Sequence, residues 1–195
     1  MTQAEGWATR ERDFRVLADC TFGDTDKASG AHDYLPYYER HLVRDAIHTL
    51  TEIGVYTGGS LRMWARWLPH AQIIGIDNEP ANYVVPSENA PPNITFIDGD
   101  ATLLEPWASD VVIDDGSHHG DDQLAAFDGF WPLVRPGGWY VIEDLESVWS
   151  DYFRDGPEME SFIGHRVGDA LRHRSMGRSV AELHAYEQIL FMRKR

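Results

Sequence analysis

The chain has 195 residues, of which 43% are hydrophobic; that is enough for one domain with a buried core and excludes a disordered chain. Its 17 basic residues face 32 acidic ones, a net charge of −15, and such a field repels phosphate backbones, so no nucleic-acid partner is expected. Nothing reads as a signal peptide or spanning helix, so a cytoplasmic protein without membrane contact is expected, and the lone Cys20 excludes an intrachain disulfide or thiolate metal cluster.

In chain order, ERDFRVLADC (11–20) and YLPYYERHLVRDAI (34–47) read as helices ahead of the first strand. HTLTEIGVY (48–56) is that strand. A glycine turn and a helix over GGSLRMWARWLP (58–69) follow, with Trp64 and Trp67 at i, i+3 directed to the core. AQIIGIDN (71–78), NITFIDGD (93–100) and SDVVIDDG (109–116) are short apolar runs bounded by turn residues, the signature of buried strands. DDQLAAFDGFWPLV (121–134) has helical spacing until Pro136-Gly137-Gly138 interrupts it, and GGWYVIEDL (137–145) is a fifth strand. An amphipathic helix over 157–173 precedes two apolar runs, 179–186 and 188–194, with almost no gap, which predicts an antiparallel hairpin.

Strand and helix alternating at this cadence mean right-handed βαβ units. The expected fold is α/β: a doubly wound, mostly parallel seven-stranded sheet with an antiparallel C-terminal hairpin. One domain over 1–195 is expected, divided into a helical cap (1–47), a core (48–145) and a lid with the hairpin (146–195). Ligands of such sheets bind beyond the carboxyl ends of the strands.

The first strand ends in Glu52-Ile53-Gly54-Val55-Tyr56-Thr57-Gly58-Gly59-Ser60. Gly54 and Gly58 permit a tight turn and close backbone approach to a ligand. The spacing is neither the dinucleotide fingerprint nor a P-loop. Asp77 closes the next strand, where a carboxylate can accept both hydroxyls of a ribose. Asp100 closes the third and can accept from an adenine amine, with the neighbouring backbone N–H meeting a ring nitrogen. Acids at three successive strand ends suit a cofactor without phosphates. These features resemble the class I S-adenosylmethionine methyltransferases over roughly residues 50–145. The resemblance implies that Glu52, Gly54, Gly58 and Ser60 surround the methionine part and sulfonium. Tyr56, by its place in the same turn, is expected to touch the methionine. Asp77 then holds the ribose, and Asp100 with Ala101 the adenine. His32 and Tyr34 are placed to close over the cofactor.

Strand four ends in Asp114-Asp115-Gly116-Ser117-His118-His119, and strand five in Glu143-Asp144. Four converging carboxylates raise one another's pKa unless a cation compensates. Hard oxygen ligands favour Mg2+, with Asp115, Glu143 and Asp144 as ligands. Asp114 turns the opposite way, toward the cofactor's ammonium. A cation there would bind two vicinal acceptor oxygens and acidify one of them. A neutral imidazole, His118 or His119, would take the proton.

The DDGSHH and IEDLE runs are similar to those of the Mg2+-dependent sugar O-methyltransferases of antibiotic biosynthesis, of the mycinamicin and rhamnosyl-polyketide type. So are the lead-in from Thr25-Asp26-Lys27 through His32 and Tyr34 to Arg40, and the hairpin with His184 and Tyr186. This resemblance implies Asp115 as a ligand, His118 as the base, and Glu143 with Asp144 as the other ligands. The expected function is S-adenosylmethionine- and Mg2+-dependent methylation of a hydroxyl on the sugar of a glycosylated secondary metabolite. At 195 residues the chain has no room for the separate N-terminal domain of the mycinamicin enzyme, so a differently built acceptor pocket is expected. A catechol-like diol acceptor and a catalytically silent cofactor-binding scaffold are the alternatives. An iron oxygenase using Asp115, His118 and His119 leaves Glu143-Asp144 unexplained. Nothing in the sequence speaks against a homo-oligomer.

Overall fold

The computed structural model describes residues 25–28, 32–79, 91–148, 150, 152, 159–171 and 179–195. The helix expected over 11–20, with Cys20, lies outside these. Seven strands form one sheet: β1 (Thr49–Ile53), β2 (Gln72–Asp77), β3 (Ile94–Asp98), β4 (Ser109–Asp114), β5 (Val134–Ile142), β6 (Val180–Tyr186) and β7 (Ile189–Lys194). Their order is β3-β2-β1-β4-β5-β7-β6. The first five are parallel, while β7 runs antiparallel to both β5 and β6. The chain order reverses direction between β1 and β4, which opens the crevice where ligands of such sheets bind.

Pleating distributes the apolar residues to two cores. Leu50, Ile73, Val111, Ile113, Trp139, Val141 and Phe191 face α1 (Leu35–His41) and α2 (Gly59–Trp67). Ile53, Ile76, Val112, Tyr140, Ile142, Leu190 and Met192 face α3 (Gly120–Phe130) and α4 (Met159–Leu171). Trp64 is fully buried under the first face, with Trp67 beside it; burying one such side chain contributes roughly 1.5–3 kcal/mol.

Several boundaries differ from expectation, and two of them change the path of the chain. The helix of 34–47 stops at His41 because Leu42 turns extended, and Arg44–Ala46 forms only one 3-10 turn. β5 begins at Val134 rather than Gly137: Pro136-Gly137-Gly138 lie within a bulge, since Ser109 pairs Val134 but Val111 pairs Trp139. Gly137 takes φ +84°, and a Cβ on Gly138 would lie 2.4 Å from the Asp110 carbonyl oxygen. The breakers therefore bend the strand without ending it. Among the described residues no helix is long and apolar enough to cross a membrane.

Candidate functional site

A cleft of about 880 Å³ lies at the carboxyl ends of β1, β2, β3 and β4. Its floor is the turn after β1, which is left-handed at Gly54 (φ +84°), Tyr56 (+49°) and Gly58 (+78°). Gly54 has no room for a side chain, because a Cβ would sit 1.8 Å from the Asp115 carbonyl oxygen. The missing side chain lets the β1 and β4 ends approach, with Asp115 N donating to Ile53 O at 2.9 Å. Gly58 caps the N-terminus of α2.

The nucleotide-end residues mostly meet in this cleft. Gly54, Tyr56, Ser60, Asp77, Asp100 and Ala101 all line it. Asp77 Oδ2 accepts the backbone N–H groups of Val55 (2.8 Å) and Tyr56 (2.9 Å), while Oδ1 accepts from Glu79 N at 2.7 Å. This carboxylate thus sets the turn and still faces the cleft. Asp100 Oδ1 accepts from the backbone N–H and hydroxyl of Thr102 at 2.9 and 2.7 Å, leaving Oδ2 outside those bonds.

Glu52 and Gly58 do not line the cleft. Glu52 shares the pleat face of Leu50, so it points under α2 and is fully buried. Its carboxylate accepts from Ser60 Oγ (2.9 Å) and Trp64 Nε1 (3.4 Å), and lies 3.3 Å from Lys27 Nζ. It braces the turn after β1 from beneath.

Asp114 and Asp115, adjacent at the end of β4, take different partners. Asp114 lines the cleft, is 2% exposed, and accepts from Tyr140 OH at 3.0 Å. Burial pushes its carboxyl up to about 7, against the hydrogen bonds from Tyr140 and Gly116. Asp115, His118 and Asp144 each offer a ligand atom within 4.8 Å of the others, a set that fits one cation. His118 Nε2 lies 3.9 Å from Asp144 Oδ2. His119 is not part of this group; it caps α3, and its ring lies 5.7 Å from that of Tyr152.

Glu143 stands just behind, 1% exposed, with Oε2 2.6 Å from Lys27 Nζ and Oε1 accepting from Tyr38 OH. Each carboxylate oxygen has two acceptor lone pairs, so these bonds do not exhaust it. Tyr34 OH donates to Asp144 Oδ1 at 2.5 Å, and His32 Nδ1 lies 3.4 Å from the same oxygen. Tyr34 and His32 therefore both meet Asp144, and neither lines the cleft.

Non-glycine residues with positive φ cost of order 1–3 kcal/mol and cluster at functional sites. Among the described residues five do so, and three of them, Tyr56, His118 and Asp144, line the cleft.

Lys27 is the residue that sequence reading assigned no role. Its ammonium is 1% exposed and bonded to Asp115, Glu143 and Glu52. Burial lowers its pKa, but the three carboxylates together outweigh burial and hold it well above the usual lysine value. Each of those carboxyls is in turn pushed up, because burial outweighs one shared ammonium. The directions agree: one positive charge is too few for this cluster. The available signal was compositional. The sequence holds only two lysines, Lys27 and Lys194, and the other 15 of its 17 basic residues are arginine.

Residues 51–145 match the family model of the methyltransferase domain. Over 97% of its length the chain is 32% identical to the mycinamicin VI 2''-O-methyltransferase of Micromonospora griseorubida, covering 54% of that protein. It is 31% identical to the demethylmacrocin O-methyltransferase of Streptomyces fradiae, covering 96% of this chain and 58% of the relative. A solved methyltransferase from the mycinamycin biosynthetic pathway, in complex with Mg, SAH and mycinamycin VI, superposes with a TM-score of 0.75 at 31% identity, over 93% of this chain and 54% of that one. The chain spans a little over half the length of these relatives. With its seven-stranded, mostly parallel sheet it has the α/β methyltransferase fold, carries the methyltransferase-domain match over residues 51–145, and is similar to sugar O-methyltransferases of antibiotic pathways.

Proposed function

We propose that this chain is the methyltransferase part of an enzyme that methylates a sugar hydroxyl of a glycosylated metabolite, using S-adenosylmethionine and a divalent cation, Mg2+ foremost. The observation that carries this reading is that Asp77 and Asp100 enter the same cleft as Asp115, His118 and Asp144. A nucleoside-type cofactor and a chelated acceptor would thus meet across one turn. The relatives' named reactions, and the neighbour's Mg and SAH, support the acceptor class and both cofactors.

S-adenosylmethionine supplies an electrophilic methyl on a sulfonium. The cation supplies Lewis acidity that lowers the pKa of an acceptor hydroxyl. The chain's residues then have distinct tasks. Asp77 binds the ribose hydroxyls, Asp100 with the Ala101 N–H binds the adenine edge, and Asp114 takes the methionine ammonium. The backbone around Gly54, Tyr56 and Gly58 lets the methionine part lie close, with Ser60 and Glu52 bracing that turn. Asp115, Asp144 and Glu143 are the cation's carboxylate ligands, oriented by Lys27, Tyr34 and Tyr38, as ligating carboxylates commonly are by hydrogen-bonding neighbours. His118 Nε2 accepts the hydroxyl proton, and the nearby Asp144 carboxylate stabilises the resulting imidazolium.

The test is methyl transfer from labelled S-adenosylmethionine to a panel of glycosylated macrolides and polyketides. Activity should vanish with chelator and return with Mg2+. His118→Ala should lower kcat by about 10²–10⁴ while SAH and Mn2+ still bind, as removal of a base predicts. Full activity after chelation would sink the cation role. Loss of Mn2+ affinity in His118→Ala would make that histidine a ligand instead.

A further inference from the structure

Lys27 Nζ sits among three carboxylates that arrive from three strand ends: Glu52 of β1 at 3.3 Å, Glu143 after β5 at 2.6 Å, and Asp115 after β4. Oxygens around one buried point, from separate elements, are what a hard divalent cation takes as ligands. Of the three, Asp115 also belongs to the outer group with His118 and Asp144, and Glu143 is among the ligands proposed for the outer cation. A carboxylate shared by two cationic centres is a feature of two-metal sites. We infer that Lys27 is a tethered substitute for a second divalent cation, so that the centre is a one-ion, one-ammonium version of a two-ion site.

The tether is short and fixed. The backbone N–H of Lys27 donates to Thr25 Oγ1 at 3.3 Å, and its carbonyl accepts from Tyr34 N at 3.0 Å. The ammonium therefore neither exchanges with solvent nor depends on ion supply. It keeps Asp115 and Glu143 aimed whether or not the outer ion is bound, and limits the centre to one exchangeable cation. The choice of lysine in a chain otherwise rich in arginine follows from shape. A compact ammonium can meet three carboxylates from different directions, whereas a planar guanidinium presents its donors as a rigid fork. Glu52 extends the device to the cofactor side, since it also accepts from Ser60 and Trp64 beneath the turn.

The inference rests on reading the outer group as a cation site only for the wild-type count. The experiment counts Mn2+ bound at saturation to wild type, Lys27→Ala and Lys27→Ala/Glu52→Gln, by dialysis and metal analysis. Wild type should hold one ion per chain and Lys27→Ala two. Adding Glu52→Gln should weaken the extra ion at least tenfold and leave the outer one, because Glu52 belongs to the inner seat alone. Protein that does not fold without the ion is refolded in millimolar Mn2+ and gel-filtered before counting. No gain of an ion in Lys27→Ala, with protons neutralising the acids instead, overturns the inference, as does failure to fold in Mn2+. A wild-type count of zero would overturn the outer site, while the variant-minus-wild-type difference still decides the role of Lys27.

Discussion

Gly54→Ala adds one methyl group and should be among the most damaging single changes in the molecule. The backbone at Gly54 has φ +84°, where a Cβ costs roughly 1–2 kcal/mol. The larger effect is steric. The new Cβ would lie 1.8 Å from Asp115 O, 2.5 Å from Asp115 C and 2.9 Å from Gly116 Cα, all backbone atoms that no rotamer change can clear. Restoring contact distance means separating the two turns by about 1.5 Å. That strains the Asp115 N to Ile53 O hydrogen bond (2.9 Å) and the Ile53–Asp114 pairing at the end of the sheet. One unsatisfied buried backbone group adds about 1–3 kcal/mol, so a loss of about 3–5 kcal/mol is expected, a large share of ordinary domain stability. Gly129→Ala is the control: Gly129 is exposed on α3 with nothing within 4 Å of its Cβ position, so that change should stabilise by about 0.5–1 kcal/mol. Equilibrium urea unfolding of both variants and wild type measures the contrast. A Gly54→Ala protein within about 1 kcal/mol of wild type would refute the close apposition of β1 and β4.

Other perturbations separate the two ends of the cleft. Asp77→Asn removes the charge at the β2 end and should weaken SAH binding by at least about tenfold in calorimetry, with Mn2+ affinity unchanged; parallel loss of both would mean that Asp77 shapes the whole cleft. Tyr34→Phe deletes the hydroxyl bonded to Asp144 and should weaken Mn2+ binding by roughly tenfold while sparing SAH. His41, half-buried against His184 and Trp139, has its pKa lowered to about 4, first by burial and then by His184 and Arg40, with Glu182 opposing. Its folded pKa lies below the unfolded value, so the unfolded state binds more protons. The stability it contributes is present above pH 6.5 and lost as pH falls toward 4, about 1–2 kcal/mol after solvent screening is allowed for. His41→Phe should flatten the melting temperature over that window; an unchanged acid slope would exonerate the ring.

The central strands were legible because a strand buried on both faces reads as an unbroken apolar run, and here each run stops at an acid or glycine. β5 was misjudged at its start because a proline and two glycines are compatible with a bulge as well as a break. Asp77, Asp100, Asp114 and Asp115 could be found from their place at strand ends, and adjacent residues there do diverge. Period-two alternation also contained the answer for Glu52, which lies two residues after the buried Leu50 on the same face. Lys27 was not legible from spacing. It reaches Asp115 across 88 residues of sequence and Glu143 across 116, from a turn with no periodicity. The family-like Thr25-Asp26-Lys27 lead-in and the scarcity of lysine marked it without saying what it meets.

The position of β7 bears on how the chain is made. It comes last of the seven strands yet lies between β5 and β6, pairing with both. During synthesis, β1 to β5 can assemble while the flank of β5 still shows unpaired backbone groups beside Tyr140, Val141 and Ile142, an apolar edge inviting other chains. β6 cannot cover that flank alone, because its sheet partner is β7. A nascent chain halted before residue 189 should therefore be held by chaperones or aggregate, and release should coincide with emergence of Ile189–Lys194 from the ribosome.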